Sequence, residues 1–212
     1  MPDELKHVWL ALCARYSKDL TLQEGLYEEL YKKYTGTARH YHGLQHLTEL
    51  LQLSGQYGQF LEDKDLVSFA IFYHDIIYNV LRKDNEPRSA VLAEKRLRLL
   101  GVPVEKREAV KFFIEATQTH TIRDTAPNRS DLAFFLDFDM AILGAPWEQY
   151  EAYTRQVRKE HRVYPDILFK PGRKAFLVKT LQTAYIFHTP PFRGQYEAKA
   201  RANMERELQL YA

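Results

Sequence analysis

Apolar residues recur at spacings of three and four along nearly the whole chain, and this periodicity constrains the fold more than any other feature. The strict alternation that is typical of strands is scarce. The pattern therefore predicts an all-α protein. We expect helices at about 3–16, 20–34, 42–55, 61–76, 86–100, 104–119, 130–142, 146–162, 172–188 and 192–211.

The predicted ends of the helices coincide with residues that are typical of turns. The stretch "TGTARH" (35–40) separates the second and third helices, and Gly101 stops a helix shortly before Pro103 opens the next. The longest polar loop is "TIRDTAPNRSD" (121–131), and "YPDILFKPGR" (164–173) is predicted to be another connector. No repeat, low-complexity segment or linker divides the chain, so we expect a single domain.

Composition limits the classes of function. The 212 residues are 45% hydrophobic, which is ample for one core, and the net charge of +2 comes from interspersed acids and bases. This balance argues against a nucleic-acid or membrane partner. The single cysteine, Cys13, excludes an internal disulfide and fits a reducing compartment. We expect a soluble, cytoplasmic monomer or homodimer.

Three apolar helices are each interrupted by a histidine or an acid. His74 and Asp75 lie in "SFAIFYHDIIYNV" (68–80), His46 closes "RHYHGLQH", and Asp139 lies in "FFLDFDMAILG". Burying such groups is costly unless they are paired or bind a metal, and imidazole and carboxylate are ligands for divalent ions. The pattern therefore indicates a metal site whose ligands come from separate helices.

Helical geometry alone does not decide which of these side chains face one another. Neighbours such as His74 and Asp75 project about 100° apart on a helix, so they do not naturally face one point. Asp137 and Asp139 lie on opposite sides of their helix, and only one of them is expected to face inward. His42 and His46 share a face at i,i+4 if their helix begins near His42.

The order of these residues resembles the HD superfamily of metal-dependent phosphohydrolases. The resemblance is closest to an uncharacterised branch usually described as predicted metal-dependent HD phosphohydrolases, and it covers about Tyr31 to Leu210. Where that branch suggests an acid after Glu86, this chain has Pro87. The blocks that carry the resemblance are "RHYHGLQHL", "FYHDIIY", "DNEPRSA", "ATQTH", "FLDFDMAILG" and "YIFHTPPF…YEAKARANMERELQ".

The resemblance implies one helical bundle of the HD type over residues 1–212. The core of the site would lie at about 31–145, with the helices of 146–212 packed on it. It also implies a single divalent ion (Mn, Fe, Ni, Co, Zn or Mg) bound by four side chains. These ligands would be His46, His74, Asp75 and Asp139.

The implied reaction is hydrolysis of a phosphate ester or anhydride in a small, nucleotide-like substrate by metal-activated water. Catalytic roles would fall to Asp75 together with His120 or His42, although His120 is equally well explained as a helix C-terminal residue. Predicted substrate contacts are Arg39, Glu86 and Arg88, with Arg82 and Lys83 as further phosphate contacts. Asn85 and Glu86 are also readily explained as helix caps.

Two other functions remain open from sequence. A di-iron oxygenase of the HD fold would need further ligands, which His42 and His120 would supply. A non-catalytic binding module would keep the metal for stability alone.

Overall fold

The computed structural model describes residues 2–211, and every regular element in that range is a helix. The all-α prediction is therefore confirmed, while the HD type of bundle stays a prediction. None of the helices in this range combines the length and the apolar character needed to span a bilayer. The chain divides into two compact units, Met1–Phe135 and Leu136–Ala212. Each unit is described by itself, and their union in one domain stays a prediction.

The first unit consists of six α-helices, a 3₁₀ turn at Gly58–Phe60 and the first part of a seventh helix. The six helices are α1 (Pro2–Cys13), α2 (Leu20–Tyr34), α3 (Leu44–Gln56), α4 (Lys64–Tyr73), α5 (Asn85–Leu99) and α6 (Val104–Ala116). Helix α7 (Arg129–Met140) crosses from the first unit into the second.

Helix α4 forms the centre of the first unit, because seven of its ten residues are apolar or aromatic and buried. It packs against α3, α5 and α6. On a further side, the indole of Trp9 from α1 lies edge-on to the rings of Phe69, Phe72 and Tyr73 at centroid distances of 6.2, 5.1 and 5.9 Å. The polar groups at the end of α4 therefore emerge from the densest part of this core.

Local chemistry sets several helix ends in this unit. Asp19 and Asp63 precede α2 and α4, and each accepts a backbone N–H of the first turn, from Leu22 and Leu66, at 2.9 Å. Gly101 has a φ of +77° after α5, a conformation that side chains other than glycine rarely adopt. The predicted stop at Gly101 is thus confirmed.

The second unit begins with the last residues of α7 and continues through short and long helices. These are a 3₁₀ turn (Ala141–Gly144), α8 (Trp147–Glu160), α9 (Asp166–Leu181), α10 (Pro190–Phe192), a π-helical turn (Arg193–Glu197) and α11 (Ala198–Gln209).

The predicted connector at 164–173 is wrong, because α9 begins at Asp166 and ends at Leu181 rather than spanning 172–188. Pro165 precedes the helix, and Asp166 lies in its first turn, where a carboxylate suits the helix dipole. Arg158 fixes that carboxylate from α8 at 2.7 Å. The helix then runs through Pro171, which sequence rules treat as a break.

The 3₁₀ turn at Ala141–Gly144 packs against both the π-helical turn and helix α11. A side chain at Gly144 would meet the Cβ of Tyr196 at 2.7 Å, so only glycine fits there. The Asn203 amide donates to the carbonyls of Leu143 and Ala145 at 2.9 and 2.8 Å. The C-terminal helix is therefore positioned by polar contacts as well as by its apolar face.

Candidate metal centre

Helix α4 ends earlier than the sequence predicts, and this places His74 and Asp75 in a turn. Its last helical residue is Tyr73, and the His74 amide still donates to Ala70 at 2.9 Å. The Ile76 amide then donates to Tyr73 at 3.2 Å as the chain turns away. We call residues 74–77 the HD turn. His74 keeps helical dihedral angles, with a φ of −57° and a ψ of −40°, so this turn continues directly from the helix.

The other histidine comes from the start of α3. This helix begins at Leu44 after an extended Gly43, so His42 precedes the helix and the expected i,i+4 relation of His42 with His46 does not exist. His46 lies in the first turn of α3 and is buried. The start of α3 and the end of α4 thus bring His46 and His74 together.

Three potential ligand atoms converge within the first unit. The Nε2 atoms of His46 and His74 are 3.2 Å apart, and Oδ2 of Asp75 lies 3.2 Å from His74 Nε2 and 4.0 Å from His46 Nε2. Both histidine side chains are about 1% exposed, whereas the Asp75 side chain is 17% exposed. The cluster is therefore buried on the histidine side and reached by solvent at the carboxylate.

A backbone contact fixes the tautomer of His74. Its Nδ1 lies 2.9 Å from the carbonyl oxygen of Ile71, and because a carbonyl only accepts, Nδ1 carries the proton. In the neutral ring, Nε2 then presents a lone pair to the Asp75 carboxylate, which is also an acceptor. A proton or a metal ion between the two groups would make this contact favourable.

The geometry of the cluster fits a metal ion. Bonds of about 2.1 Å to N and O ligands separate adjacent ligand atoms by about 3.0–3.4 Å and opposite ones by up to about 4.2 Å. The three observed separations, 3.2, 3.2 and 4.0 Å, lie within those limits. A proton joins only two of these atoms, whereas one divalent ion accepts electron pairs from all three. His46, His74 and Asp75 therefore form a group that could hold a metal ion.

Side chains from neighbouring helices hold the backbone around the HD turn. The Tyr34 hydroxyl donates to the Phe72 carbonyl at 3.1 Å, and Ser89 Oγ accepts the Ile77 N–H at 3.0 Å. Arg39 donates to the Ile76 carbonyl at 3.0 Å. The ligand-bearing turn is therefore fixed by α2, by the segment before α3 and by α5.

Aromatic rings border the cluster. The ring of Phe135 lies edge-on to His74 at 5.9 Å and is backed by Phe113. Tyr41 lies 5.0 Å from His46. The ring of Phe134 stacks on that of Phe60 with centroids 5.6 Å apart. The apolar contacts lower the local polarity around the imidazoles.

The two acids of α7, Asp137 and Asp139, differ in burial. Asp137 is buried, and its two oxygens accept the backbone N–H groups of His188 and Thr189 at 2.6 and 2.8 Å. Burial raises the pKa of Asp137 to about 6, although these hydrogen bonds act in the opposite direction. Asp137 thus has a structural role in the second unit. Asp139 is half-buried in the same unit, and its place among the metal ligands stays a prediction.

The two candidate acid–base histidines have different surroundings. His42 stacks on Tyr78 with centroids 4.4 Å apart, and its ring lies 5.9 Å from that of His46. His120 follows α6 with a φ of 51°, and its amide donates to Ala116 at 2.9 Å. A positive φ is uncommon for histidine and often accompanies functional positions. The structure brings His42 beside the cluster, and the role of His120 stays a prediction.

Two of the predicted substrate contacts, Arg39 and Arg82, form hydrogen bonds within the protein. The guanidinium of Arg39 donates to the carbonyls of His42 and Ile76 at 2.8 and 3.0 Å, so it connects the two ligand-bearing segments. Arg82 forms a two-bond pair with Asp84, with both contacts at 2.7 Å. Arg88 is exposed in the first turn of α5, and Glu86 is half-buried nearby. Substrate binding by these residues stays a prediction.

Some residues that shape the site were missed from sequence. Ser89 is a polar residue on the buried stripe that continues through Ala93 and Leu97. A polar residue on an apolar stripe is the sequence feature that could have identified it. Gln118 donates to the Lys83 carbonyl at 3.0 Å and so ties the end of α6 to the loop after the HD turn. Asn85, predicted as a cap, instead bonds the backbone of Asn79 with both side-chain atoms, at 3.1 and 3.0 Å.

Comparison with known proteins identifies no relative: no protein-family model, curated protein or solved structure matches the chain.

Proposed function

We propose that this chain is a metal-dependent phosphohydrolase that cleaves a phosphate ester or anhydride in a small substrate, with nucleotides among the candidates. The observation that carries the proposal is the convergence of His46 Nε2, His74 Nε2 and Asp75 Oδ2 within 4.0 Å. It combines with the Nδ1 contact of His74, which leaves Nε2 as a lone-pair donor. Histidines that bind metals commonly donate their other N–H to a backbone carbonyl in this way.

A divalent ion held by these residues would supply Lewis acidity and would lower the pKa of a water molecule for attack on phosphorus. His46 and His74 contribute neutral ligands, and Asp75 contributes a negative charge. We include Asp139 as the fourth ligand, because both oxygens of its competitor Asp137 are already used by backbone amides. The partial exposure of Asp75 leaves one side of the cluster accessible to a substrate.

The remaining residues orient the ligands and the substrate. Arg39 holds the HD turn and the segment before α3 in register through two carbonyls. His42, stacked on Tyr78 beside His46, is the better-placed candidate for proton transfer to the leaving group. Arg88 is the candidate contact for a substrate phosphate, because its side chain is exposed in α5, the helix that also anchors the HD turn through Ser89.

The test is metal content by elemental analysis on the wild type, Asp75→Asn and Asp84→Ala. Asp75→Asn keeps the side-chain shape and removes the charge. The matched control, Asp84→Ala, removes a nearby acid that pairs with Arg82. We expect about one divalent ion per chain in the wild type and the control and essentially none in Asp75→Asn. Phosphate release from p-nitrophenyl phosphate and a nucleotide panel should follow the metal content.

Three results would contradict the proposal in different ways. Absence of bound metal after supplementation with Mn²⁺, Co²⁺, Ni²⁺ and Mg²⁺ would remove the site itself. Two irons per chain with oxygen consumption would replace hydrolysis by oxygenase chemistry. Bound metal that raises the thermal midpoint without any phosphate release would indicate a metal-stabilised binding module.

A further inference from the structure

A cavity of about 480 Å³ lies in the second unit, between the C-terminal end of α8 and helix α9. Its volume falls within the range of about 300–1,000 Å³ that is typical of small-molecule sites. Most of the lining is apolar or aromatic. The lining residues are Val157, His161, Tyr164, Leu168, Phe169, Gly172, Arg173 and Phe176.

Arg173 gives this cavity hydrogen-bond donors without net charge. Its guanidinium is buried and pairs with Glu207 through two contacts of 2.8 and 2.9 Å. A third N–H donates to the Tyr153 hydroxyl at 3.1 Å, so three of the five N–H groups of the guanidinium are used. Because Glu207 already neutralises the arginine, the cavity favours an uncharged acceptor over an anion.

Gly172 also lines the cavity. It lies in the interior of α9, where glycine costs about 1 kcal/mol relative to alanine. Neither a positive φ nor a close neighbour requires glycine there, since an added Cβ would have nothing within 4 Å. In the cavity lining, the missing side chain leaves the space above this part of the helix open.

We propose that this cavity binds an uncharged, largely apolar small molecule that contains a ring and a hydrogen-bond acceptor oxygen. The aromatic side chains of Phe169 and Phe176 contact the ring, and the Arg173 guanidinium donates to the oxygen. This site goes beyond the proposed phosphohydrolase activity and does not depend on it.

The test is fluorescence titration of the full chain with Prodan, an uncharged naphthyl ketone whose emission shifts to the blue in apolar surroundings. The titration is made at about pH 8, where histidine side chains are ordinarily neutral. Gly172→Trp fills much of the cavity without a clash at Cβ, and Gly25→Trp is the matched control at an exposed helical glycine with equally open space. Gly172→Ala changes helix propensity and leaves most of the volume.

We expect saturable binding of one Prodan per chain to the wild type, Gly172→Ala and Gly25→Trp. In Gly172→Trp the affinity should fall by about tenfold or more. Thermal unfolding of Gly172→Trp should match or exceed the wild type, because the replaced glycine disfavours the helix. A folded variant that has lost Prodan binding would therefore locate the site in this cavity.

Several results would overturn the proposal. Equal Prodan affinity in the wild type and Gly172→Trp would place the dye elsewhere. Tighter binding of the naphthalene sulfonate ANS, with loss in the same variant, would contradict the uncharged ligand class. A change of oligomeric state in Gly172→Trp, measured by light scattering, would identify the groove as an interface between copies of the chain.

Discussion

Each unit of the molecule contains a buried cluster of charged or titratable side chains, and the two clusters differ in how their charges are matched. In the second unit, Glu207 receives two N–H groups from Arg173 and the hydroxyls of Tyr150 and Tyr211. In the first unit, two imidazole nitrogens and the Asp75 carboxylate face one another. In the first arrangement a cation and an anion are paired, whereas the second could hold a metal ion.

The difference teaches that burial of charge does not by itself indicate a binding site. Desolvation raises the pKa of Glu207, but the ion pair with Arg173 and the tyrosine hydroxyls outweigh it, so the net pKa lies below the ordinary value. A paired acid of this kind has a structural role. An acid that lies close to two imidazole nitrogens, as Asp75 does, instead forms a group that could hold a metal ion.

The largest effect is expected from breaking the ion pair between Arg173 and Glu207. Arg173→Met leaves Glu207 buried without its cation and should lower the free energy of unfolding by about 3–5 kcal/mol in urea titrations. Arg155→Met is the matched control, because its pair with Glu151 is well exposed and should be worth under about 1 kcal/mol. Equal losses in the two variants would contradict the distinction between a buried and a surface pair.

The pH dependence of the free energy of unfolding is a second test of the ion pair between Glu207 and Arg173. Because the folded-state pKa of Glu207 is lowered, its ionised form stabilises the fold above the unfolded-state value of 4.5, and this contribution is lost as pH falls through the folded-state pKa. The wild type should therefore exceed Glu207→Gln in free energy of unfolding at neutral pH, and the difference should shrink below about pH 4.5. A difference that is constant from neutral to acidic pH would contradict the ion pair.

We expect a smaller effect when a side chain that holds the backbone around His46, His74 and Asp75 is removed. Arg39→Met removes the donor to the His42 and Ile76 carbonyls and should weaken metal binding by about tenfold, measured by competition with a chelator. Arg82→Met removes a nearby guanidinium that pairs with Asp84 and should leave the metal affinity unchanged. Equal affinities in all three proteins would show that the HD turn does not need Arg39.

The smallest expected change tests His120. His120→Gly relieves a φ of 51° and should raise the free energy of unfolding by about 0.5–1 kcal/mol. Asn128→Gly, at a φ of 44°, provides the control for relieved backbone strain. If His120 takes part in hydrolysis, turnover falls only in His120→Gly. Unchanged turnover in both variants would leave His120 as the residue that ends α6.

The sequence by itself determined the succession of helices, because the 3.6-residue apolar period and the turn residues act locally. Helices such as α2 and α5 begin within a residue of their predicted starts. The same patterns selected His46, His74 and Asp75, since polar groups in apolar runs require an explanation. The start of α9 was missed because local rules treat Pro171-Gly172 as a break, whereas Arg158 and the packing of the second unit support a helix.

Only the tertiary structure decided which of those polar groups meet, because meeting depends on contacts between residues far apart in sequence. Asp137 and Asp139 were nearly equivalent in the sequence, and the amides of His188 and Thr189 give Asp137 its structural role. Helix α4 ends at Tyr73, and Asp75 Oδ2 lies 3.2 Å from His74 Nε2 just beyond it, a contact that helical periodicity alone did not predict. Hydrogen bonds from Tyr34, Arg39 and Ser89 hold that turn, and no local rule predicts them.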